Sequence, residues 1–175
     1  MDTQDVVLID EEALTQLRTA LINQNQTLAV AESVTAGLLQ TAIASAKDAS
    51  QFFQGGITAY NLGQKARHLH INPIHAETCN CVSEKIAEDM ALGVCNLFSS
   101  DWGIGITGYA TVERTVNMKQ PFAYYAIAYK NRIRDSGSLR HKEDQPALIQ
   151  YYYVNEILQR FAATIGEKSK SVKND

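Results

Sequence analysis

Apolar residues recur at helical spacing in several parts of the chain. Leu14, Leu17 and Leu21 fall on one face of a 3.6-residue period, and Asp10 is a suitable N-cap for that helix. Ser83 precedes a second apolar face of the same period. Proline is common in the first turn of a helix, which suits Pro146. The predicted helices are residues 10–22, 35–45, a short one through Lys65, one beginning at Ser83, and one from Pro146 to about Gly166.

Short apolar runs between these helices have the length and composition of buried strands. They are bounded by polar or turn-forming residues, and Asn72-Pro73 marks a further turn. The predicted strands are Thr27–Ala31, Gly56–Tyr60, Gly103–Thr107, Phe122–Tyr129 and a hairpin partner from Ile133 to Leu139.

Strands alternate with helices in the first two-thirds of the chain, which indicates an α/β fold with a largely parallel sheet covered by helices on both faces. In such sheets, sites form at the carboxyl ends of the strands. The segments expected there are Glu32–Gly37, Tyr60–Lys65 and Thr107–Gly108. We predict one domain over residues 1–166, followed by a flexible charged tail over 167–175.

Composition excludes some classes of protein. The chain has 175 residues and a formal net charge of −3, which does not favour a nucleic-acid partner. No apolar run approaches the roughly 18 residues that a membrane helix needs, and Val6–Ile9 is too short for a signal-peptide core. Three cysteines cannot all pair, so we expect a reducing, cytoplasmic location without membrane contact.

Ser33 lies just beyond the first predicted strand, where a tight strand-to-helix turn would expose a nucleophile and outward-pointing N–H groups. On this pattern alone, capping of the next helix by Ser33 or Thr35 is the more ordinary explanation. Tyr60 ends the next strand and Lys65 follows one helical turn later, so both are expected to reach Ser33. A desolvated lysine can take the proton of a serine, and a tyrosine can hold that lysine or relay the proton. The alternative is that Lys65 is an ordinary surface lysine and Tyr60 an ordinary strand-edge tyrosine.

Two other patterns carry less weight. Residues 103–108 read G-x-G-x-x-G, but the glycines lie within a predicted strand, so close backbone approach explains them better than dinucleotide binding. A stretch rich in histidine and cysteine does not match the spacing of a standard zinc module. We therefore expect no metal and no cofactor. The stretch comprises His68, His70, His75, Cys79 and Cys81.

The combination of motifs is more specific than its parts. The chain reads Ala-Glu-Ser-Val-Thr-Ala-Gly over 31–37, Phe-x-Gly-Gly-Ile-Thr-Ala-Tyr over 53–60, and then Lys65. Val-Ser-Glu follows at 82–84 and Ile-Thr-Gly at 106–108. With this series the chain resembles the CinA C-terminal domain family, most closely from about Thr27 to Gly108.

That resemblance implies a three-layer α/β/α sandwich and hydrolysis of the carboxamide of nicotinamide mononucleotide to nicotinate mononucleotide and ammonia. It implies a catalytic serine, tyrosine and lysine at Ser33, Tyr60 and Lys65, without a metal. N–H groups at the start of the following helix would hold the oxyanion. Family analogy also implies self-association into a homo-oligomer. The substrate-binding residues expected from the matching motifs are Glu32, Thr35, Ala36, Gly37, Thr107 and Gly108.

Departures from the family pattern favour an alternative. Val34 and Ala36 replace a cysteine and a glycine, and the loop Tyr109–Val116 lacks the glycines that would cradle a phosphate. Lys142 and Pro146 stand nearest to positions where the family has arginines. The alternative is a non-catalytic binding or regulatory module, or an amidase with a different substrate.

Overall fold

Helices and strands alternate along the chain much as the sequence predicts. The computed structural model describes residues 9–113, 118–142 and 145–171, the last five by backbone only. The strands are β1 Leu28–Glu32, β2 Phe53–Thr58, β3 Trp102–Gly108, β4 Phe122–Tyr129 and β5 Arg132–Arg140. The helices are α1 Glu11–Asn23, α2 Leu38–Ala44, α3 Leu62–Leu69, α4 Pro73–Thr78, α5 Glu84–Phe98 and α6 Pro146–Ser171, with a short 3₁₀ turn at Ala49–Gln51.

The five strands form one mixed sheet in the order β2-β1-β3-β4-β5. Strands β2, β1 and β3 are parallel, whereas β4 and β5 are antiparallel additions that form the predicted hairpin. The connection after β1 passes through α2, and the one after β2 passes through α3–α5. The carboxyl ends of the three parallel strands therefore lie side by side, where sites form in open α/β sheets.

Helices cover both faces of the sheet, which confirms the predicted α/β class. Large side chains such as Leu28, Val30 and Trp102 pack in one cluster with residues of α1, α2 and α6. Small residues Ala29 and Ala31 face the opposite way and pack with residues of α3–α5. Because neighbouring residues of a strand point to opposite faces, β1 itself specifies one deep layer and one shallow layer.

Helix α5 lies unusually close to β3. A Cβ atom on Gly103 would come within 2.2 Å of the Ala91 carbonyl oxygen, and one on Gly105 within 2.3 Å of the Ala87 carbonyl oxygen. These glycines are therefore required by close backbone contact, as predicted.

Several predicted boundaries were wrong. Strand β2 spans Phe53–Thr58 rather than Gly56–Tyr60, and α3 continues past Lys65 to Leu69. Helix α2 begins at Leu38 rather than Thr35, because the preceding residues form a turn. Asn72-Pro73 does not merely turn the chain but starts α4, since the Asn72 side chain accepts hydrogen bonds from the Ile74 and His75 N–H groups. Helix α6 continues past Gly166 to Ser171. None of the described helices is both long and apolar enough to cross a membrane.

Candidate active site

The Ser33 hydroxyl and the Lys65 ammonium meet at the end of β1. Lys65 Nζ donates to Ser33 Oγ at 2.9 Å and to the Ala59 carbonyl oxygen at 2.7 Å. Lys65 is only 1% exposed and Ser33 only 7%. The structure therefore places a lysine where it can exchange a proton with a serine, as the sequence predicted.

Burial alters the acid–base character of Lys65. Removal from water disfavours the charged amine and lowers its pKa below the ordinary value of 10.5, while a charged Cys81 thiolate would act in the opposite direction. Burial likewise raises the pKa of the Cys81 thiol, which keeps it neutral. The neutral form of Lys65, which can accept a proton, therefore forms at a lower pH than that of an exposed lysine.

Local sequence explains how Lys65 reaches this position. The Asn61 side chain accepts a hydrogen bond from the Gln64 N–H and caps α3. Lys65 lies in the first turn after that cap. The Ala59 N–H donates to the Glu32 carbonyl oxygen at 2.8 Å, which ties the chain after β2 to the end of β1.

Glu32 organises the turn that carries Ser33. The fully buried carboxylate accepts hydrogen bonds from Thr35 Oγ1 at 2.5 Å and from the N–H groups of Gly37, Leu39 and Gln40 at 3.1, 3.0 and 2.8 Å. The N-cap position of α2 is Gly37, which makes no side-chain cap. Glu32 therefore supplies the cap, and the predicted capping by Ser33 or Thr35 is wrong.

The same contacts correct two further expectations. Glu32 and Thr35 are buried and bonded to each other, so they support the turn and do not reach the cavity as substrate-binding residues. Ala36 and Gly37 also lie outside the cavity lining. The N–H groups at the start of α2 that bind Glu32 are no longer available to hold an oxyanion.

The turn uses some of its N–H groups internally and leaves the N–H of Val34 for that role. The Ser33 carbonyl oxygen accepts from the Ala36 N–H at 3.2 Å, and the Thr35 carbonyl oxygen accepts from the Leu38 N–H at 2.9 Å. Within the described residues, no acceptor is bonded to the N–H of Val34. Val34 directly follows Ser33 and lines the cavity, which makes its N–H a candidate oxyanion donor.

Tyr60 does not hold Lys65. Its side chain is 71% exposed and forms no hydrogen bond to Lys65 within the described part of the chain. The expected orienting contact is instead made by the Ala59 carbonyl oxygen. Tyr60 nevertheless lines the cavity beside Ser33 and Lys65.

A cavity of about 600 Å³ opens above these residues. Its lining includes the predicted Thr107 and Gly108, whose β3 end lies next to β1. Thr107 Oγ1 donates to the Cys81 carbonyl oxygen at 2.8 Å, so this hydroxyl fixes the cavity wall. The size suits a small organic molecule. Among the described lining residues, the charged ones are Lys65, Glu77 and Glu113.

Several residues that line the cavity were not predicted from the sequence. Asn80 Nδ2 donates to Tyr109 Oη at 2.8 Å across the cavity wall, and Gln150 Nε2 donates to the Val34 carbonyl oxygen at 2.8 Å. Polar amides on a loop and on a helix give no distinctive local pattern, so nothing in the sequence marks them. The loop Tyr109–Val116, which lacks the family's glycines, contributes Tyr109 to Thr111 and Glu113 to the lining, while its residues 114–116 lie outside the described residues.

The histidine and cysteine stretch does not converge on one point. His68 contacts Gln64, and Cys79 Sγ donates to the His75 carbonyl oxygen. In the described ranges, no group of three or more His, Cys, Asp or Glu residues is arranged to hold a metal ion.

Two CinA-like proteins align in sequence with more than half of this chain. A CinA-like protein of Picosynechococcus sp. is 47% identical over 109 residues, which are 62% of this chain and 26% of that protein. A CinA-like protein of Thermosynechococcus vestitus is 40% identical over 128 residues, which are 70% of this chain and 30% of that protein. The chain thus aligns with less than a third of the length of these relatives.

Solved structures share the fold. A CinA superfamily protein from Klebsiella pneumoniae superposes with a TM-score of 0.83 at 23% identity, covering 89% of this chain and 97% of that one. One from Escherichia coli gives a TM-score of 0.79 at 25% identity, covering 93% and 94%. Residues 10–165 also match the family model described as the CinA C-terminal domain. This chain belongs to the CinA C-terminal domain family.

Proposed function

We propose that the chain hydrolyses the carboxamide of nicotinamide mononucleotide, with Ser33 as nucleophile and Lys65 as general base. The observation that carries this proposal is the buried 2.9 Å hydrogen bond between Lys65 Nζ and Ser33 Oγ at the floor of the cavity. A serine is a weak nucleophile until a neighbouring base takes its proton, and a desolvated lysine is such a base.

The first half-reaction follows from this pair. Neutral Lys65 takes the Ser33 proton while Oγ bonds to the carboxamide carbon. The Val34 N–H donates to the resulting oxyanion, a contact that contributes about 3 kcal/mol per donor in other acyl-transfer enzymes. The Lys65 ammonium, held by the Ala59 carbonyl oxygen, then returns the proton to the departing nitrogen. Ammonia leaves, and an ester on Ser33 remains.

Water completes the reaction. Lys65, neutral again, takes a proton from a water molecule that attacks the ester carbon, and Ser33 regains its proton as the acid product leaves. Tyr60, at the cavity rim, is proposed to contact the substrate ring rather than the lysine. The rate should rise with pH through the lowered pKa of Lys65, because only its neutral form accepts the proton.

A second candidate is an amidase whose substrate carries no phosphate. Among the described lining residues, Glu77 is exposed and acidic, and the one basic side chain, Lys65, is bonded to Ser33. Phosphate sites usually present arginine, lysine or a cradle of backbone amides. This lining therefore suits an uncharged or cationic amide. A non-catalytic module remains the other alternative.

Ammonia release tests these alternatives. The protein is incubated with nicotinamide mononucleotide and, separately, with the dephosphorylated riboside. Ser33→Ala should abolish release, whereas Ser45→Ala, whose hydroxyl donates to the Ala42 carbonyl oxygen, should not change it. Turnover of the riboside alone would support the second candidate. No turnover of either amide by the folded parent, or full activity in Ser33→Ala, would refute the proposed hydrolysis.

A further inference from the structure

Gln150 joins the last helix to the turn behind the nucleophile. It lies in the second turn of α6, lines the cavity, and donates from Nε2 to the Val34 carbonyl oxygen at 2.8 Å. The two residues are 116 positions apart in sequence. The side-chain amide of Gln150 is therefore held beside the residue that follows Ser33.

This hydrogen bond decides which way the Gln150 amide faces. A backbone carbonyl oxygen can only accept, so the amide nitrogen must be the atom that meets Val34. The carbonyl oxygen Oε1 is consequently turned away from Val34, at the fixed separation that the planar amide group imposes. Rotation of the amide by half a turn would place two acceptors against each other.

Oε1 of Gln150 is accessible. It accepts no hydrogen bond from any described residue. Among the described residues, no fully buried side-chain nitrogen or oxygen lacks a partner, so an oxygen without one must be open to solvent. Gln150 lines the cavity and its Nε2 is held at Val34, so Oε1, in the same planar amide group, lies close to the turn that carries Ser33.

We propose that Gln150 is a specificity-determining residue that accepts a hydrogen bond from the N–H₂ group of the substrate carboxamide. This inference rests on the proposed amidohydrolase function. With the carboxamide carbon at Ser33 Oγ and its oxygen at the Val34 N–H, the nitrogen is left to face another wall of the cavity. Gln150 Oε1 supplies an acceptor there.

The chemistry of this contact discriminates among closely related ligands. An ester has no N–H to donate, and a carboxylate would place its negative oxygen against Oε1. A site that hydrogen-bonds a substrate N–H rejects analogues that lack it, because its polar group is left unpaired. Gln150 thus favours the amide substrate and disfavours the acid product.

Two variants separate substrate contact from support of the turn. Gln150→Met keeps the length of the side chain but loses both the donor and the acceptor. Gln150→Glu keeps an acceptor and loses the donor to Val34. Gln159→Met is the matched control, because Gln159 lies on the same helix but donates to Asp10, outside the cavity.

The first measurement compares hydrolysis of nicotinamide mononucleotide with hydrolysis of the methyl ester of nicotinate mononucleotide. Gln150→Met should lower the amide-to-ester ratio of kcat/KM about tenfold, the size of one neutral hydrogen bond. Gln150→Glu should lower both rates and keep most of that ratio. An equal loss on both substrates would show that Gln150 only supports the turn, and would overturn the proposal.

The second measurement does not depend on turnover. In a Ser33→Ala background, calorimetry should show about tenfold tighter binding of nicotinamide mononucleotide than of nicotinate mononucleotide, and Gln150→Met should abolish the difference. Equal affinities, no binding of either ligand, or a preference that survives Gln150→Met would overturn the inference. Failure of the hydrolysis itself shows separately, as a parent that binds the amide but releases no ammonia.

Discussion

Replacing Glu32 by glutamine should destabilise the protein strongly, although the two side chains have nearly the same shape. Glu32 Oε2 accepts three hydrogen bonds and Oε1 accepts one, all from the turn and the start of α2. Glutamine has a single acceptor oxygen. Its NH₂ group would therefore face at least one N–H donor. The Gln40 N–H is the one most affected, because it is the single donor bonded to Oε1.

The magnitude follows from these four bonds. A hydrogen bond to a charged group contributes about 1.5–3 kcal/mol and a neutral one about 1 kcal/mol. Three weakened bonds and one lost bond amount to about 5 kcal/mol. Glutamine is neutral, so the variant no longer buries a charge, and this recovers part of that loss. We expect a loss of about 3–5 kcal/mol, a large part of the 5–15 kcal/mol typical of a domain. The melting temperature should fall by about 10 °C.

Urea unfolding followed by circular dichroism measures the loss for Glu32→Gln. Glu12→Gln is the matched control, since Glu12 is exposed and, among the described side chains, accepts a hydrogen bond from Gln16 alone. The control should change stability by less than about 0.5 kcal/mol. A loss below about 1 kcal/mol in Glu32→Gln would show that the carboxylate does not hold the turn, and the reasoning about the N–H groups of α2 would fail with it.

Three further predictions concern the same architecture. Lys65→Met should abolish hydrolysis and remove a pH dependence of stability. Because burial lowers the pKa of Lys65 below 10.5, the unfolded parent binds more protons than the folded parent, and the free energy of unfolding of the parent should rise with pH. Stability curves of parent and variant that stay parallel from pH 7 to 10 would contradict this prediction. Gly105→Ala should cost about 2 kcal/mol or more in urea unfolding, because its Cβ would press on the Ala87 carbonyl oxygen. Gly166→Ala, whose Cβ would meet no described atom within 4 Å, should be neutral or stabilising. Ala36→Gly should raise the melting temperature, corresponding to about 1 kcal/mol, because Ala36 has a φ of +51°; a lower melting temperature would show that this backbone is not strained.

Much of the site could be predicted from the sequence because its reactive residues follow strands. Ser33, Tyr60 and Thr107 stand at or just beyond the ends of apolar runs, and Lys65 stands one turn into a capped helix. Parallel strand ends meet at one edge of the sheet, so these positions converge whatever the details of packing. The family resemblance then implied roles for them, and the structure shows that Lys65 and Ser33 are in contact.

What the sequence determined by itself is local: the order of helices and strands, the caps at Asp10 and Ser83, and the register that sends large and small residues of β1 to opposite faces. These depend on periodicity and on neighbours within a few residues. Tertiary structure decided which polar groups were already occupied. It assigned Glu32 to the α2 cap, left the Val34 N–H available, exposed Tyr60, and brought Gln150 to the turn. The physical reason is that a donor or acceptor group can form only a few hydrogen bonds, and only the folded chain shows which of these are already made.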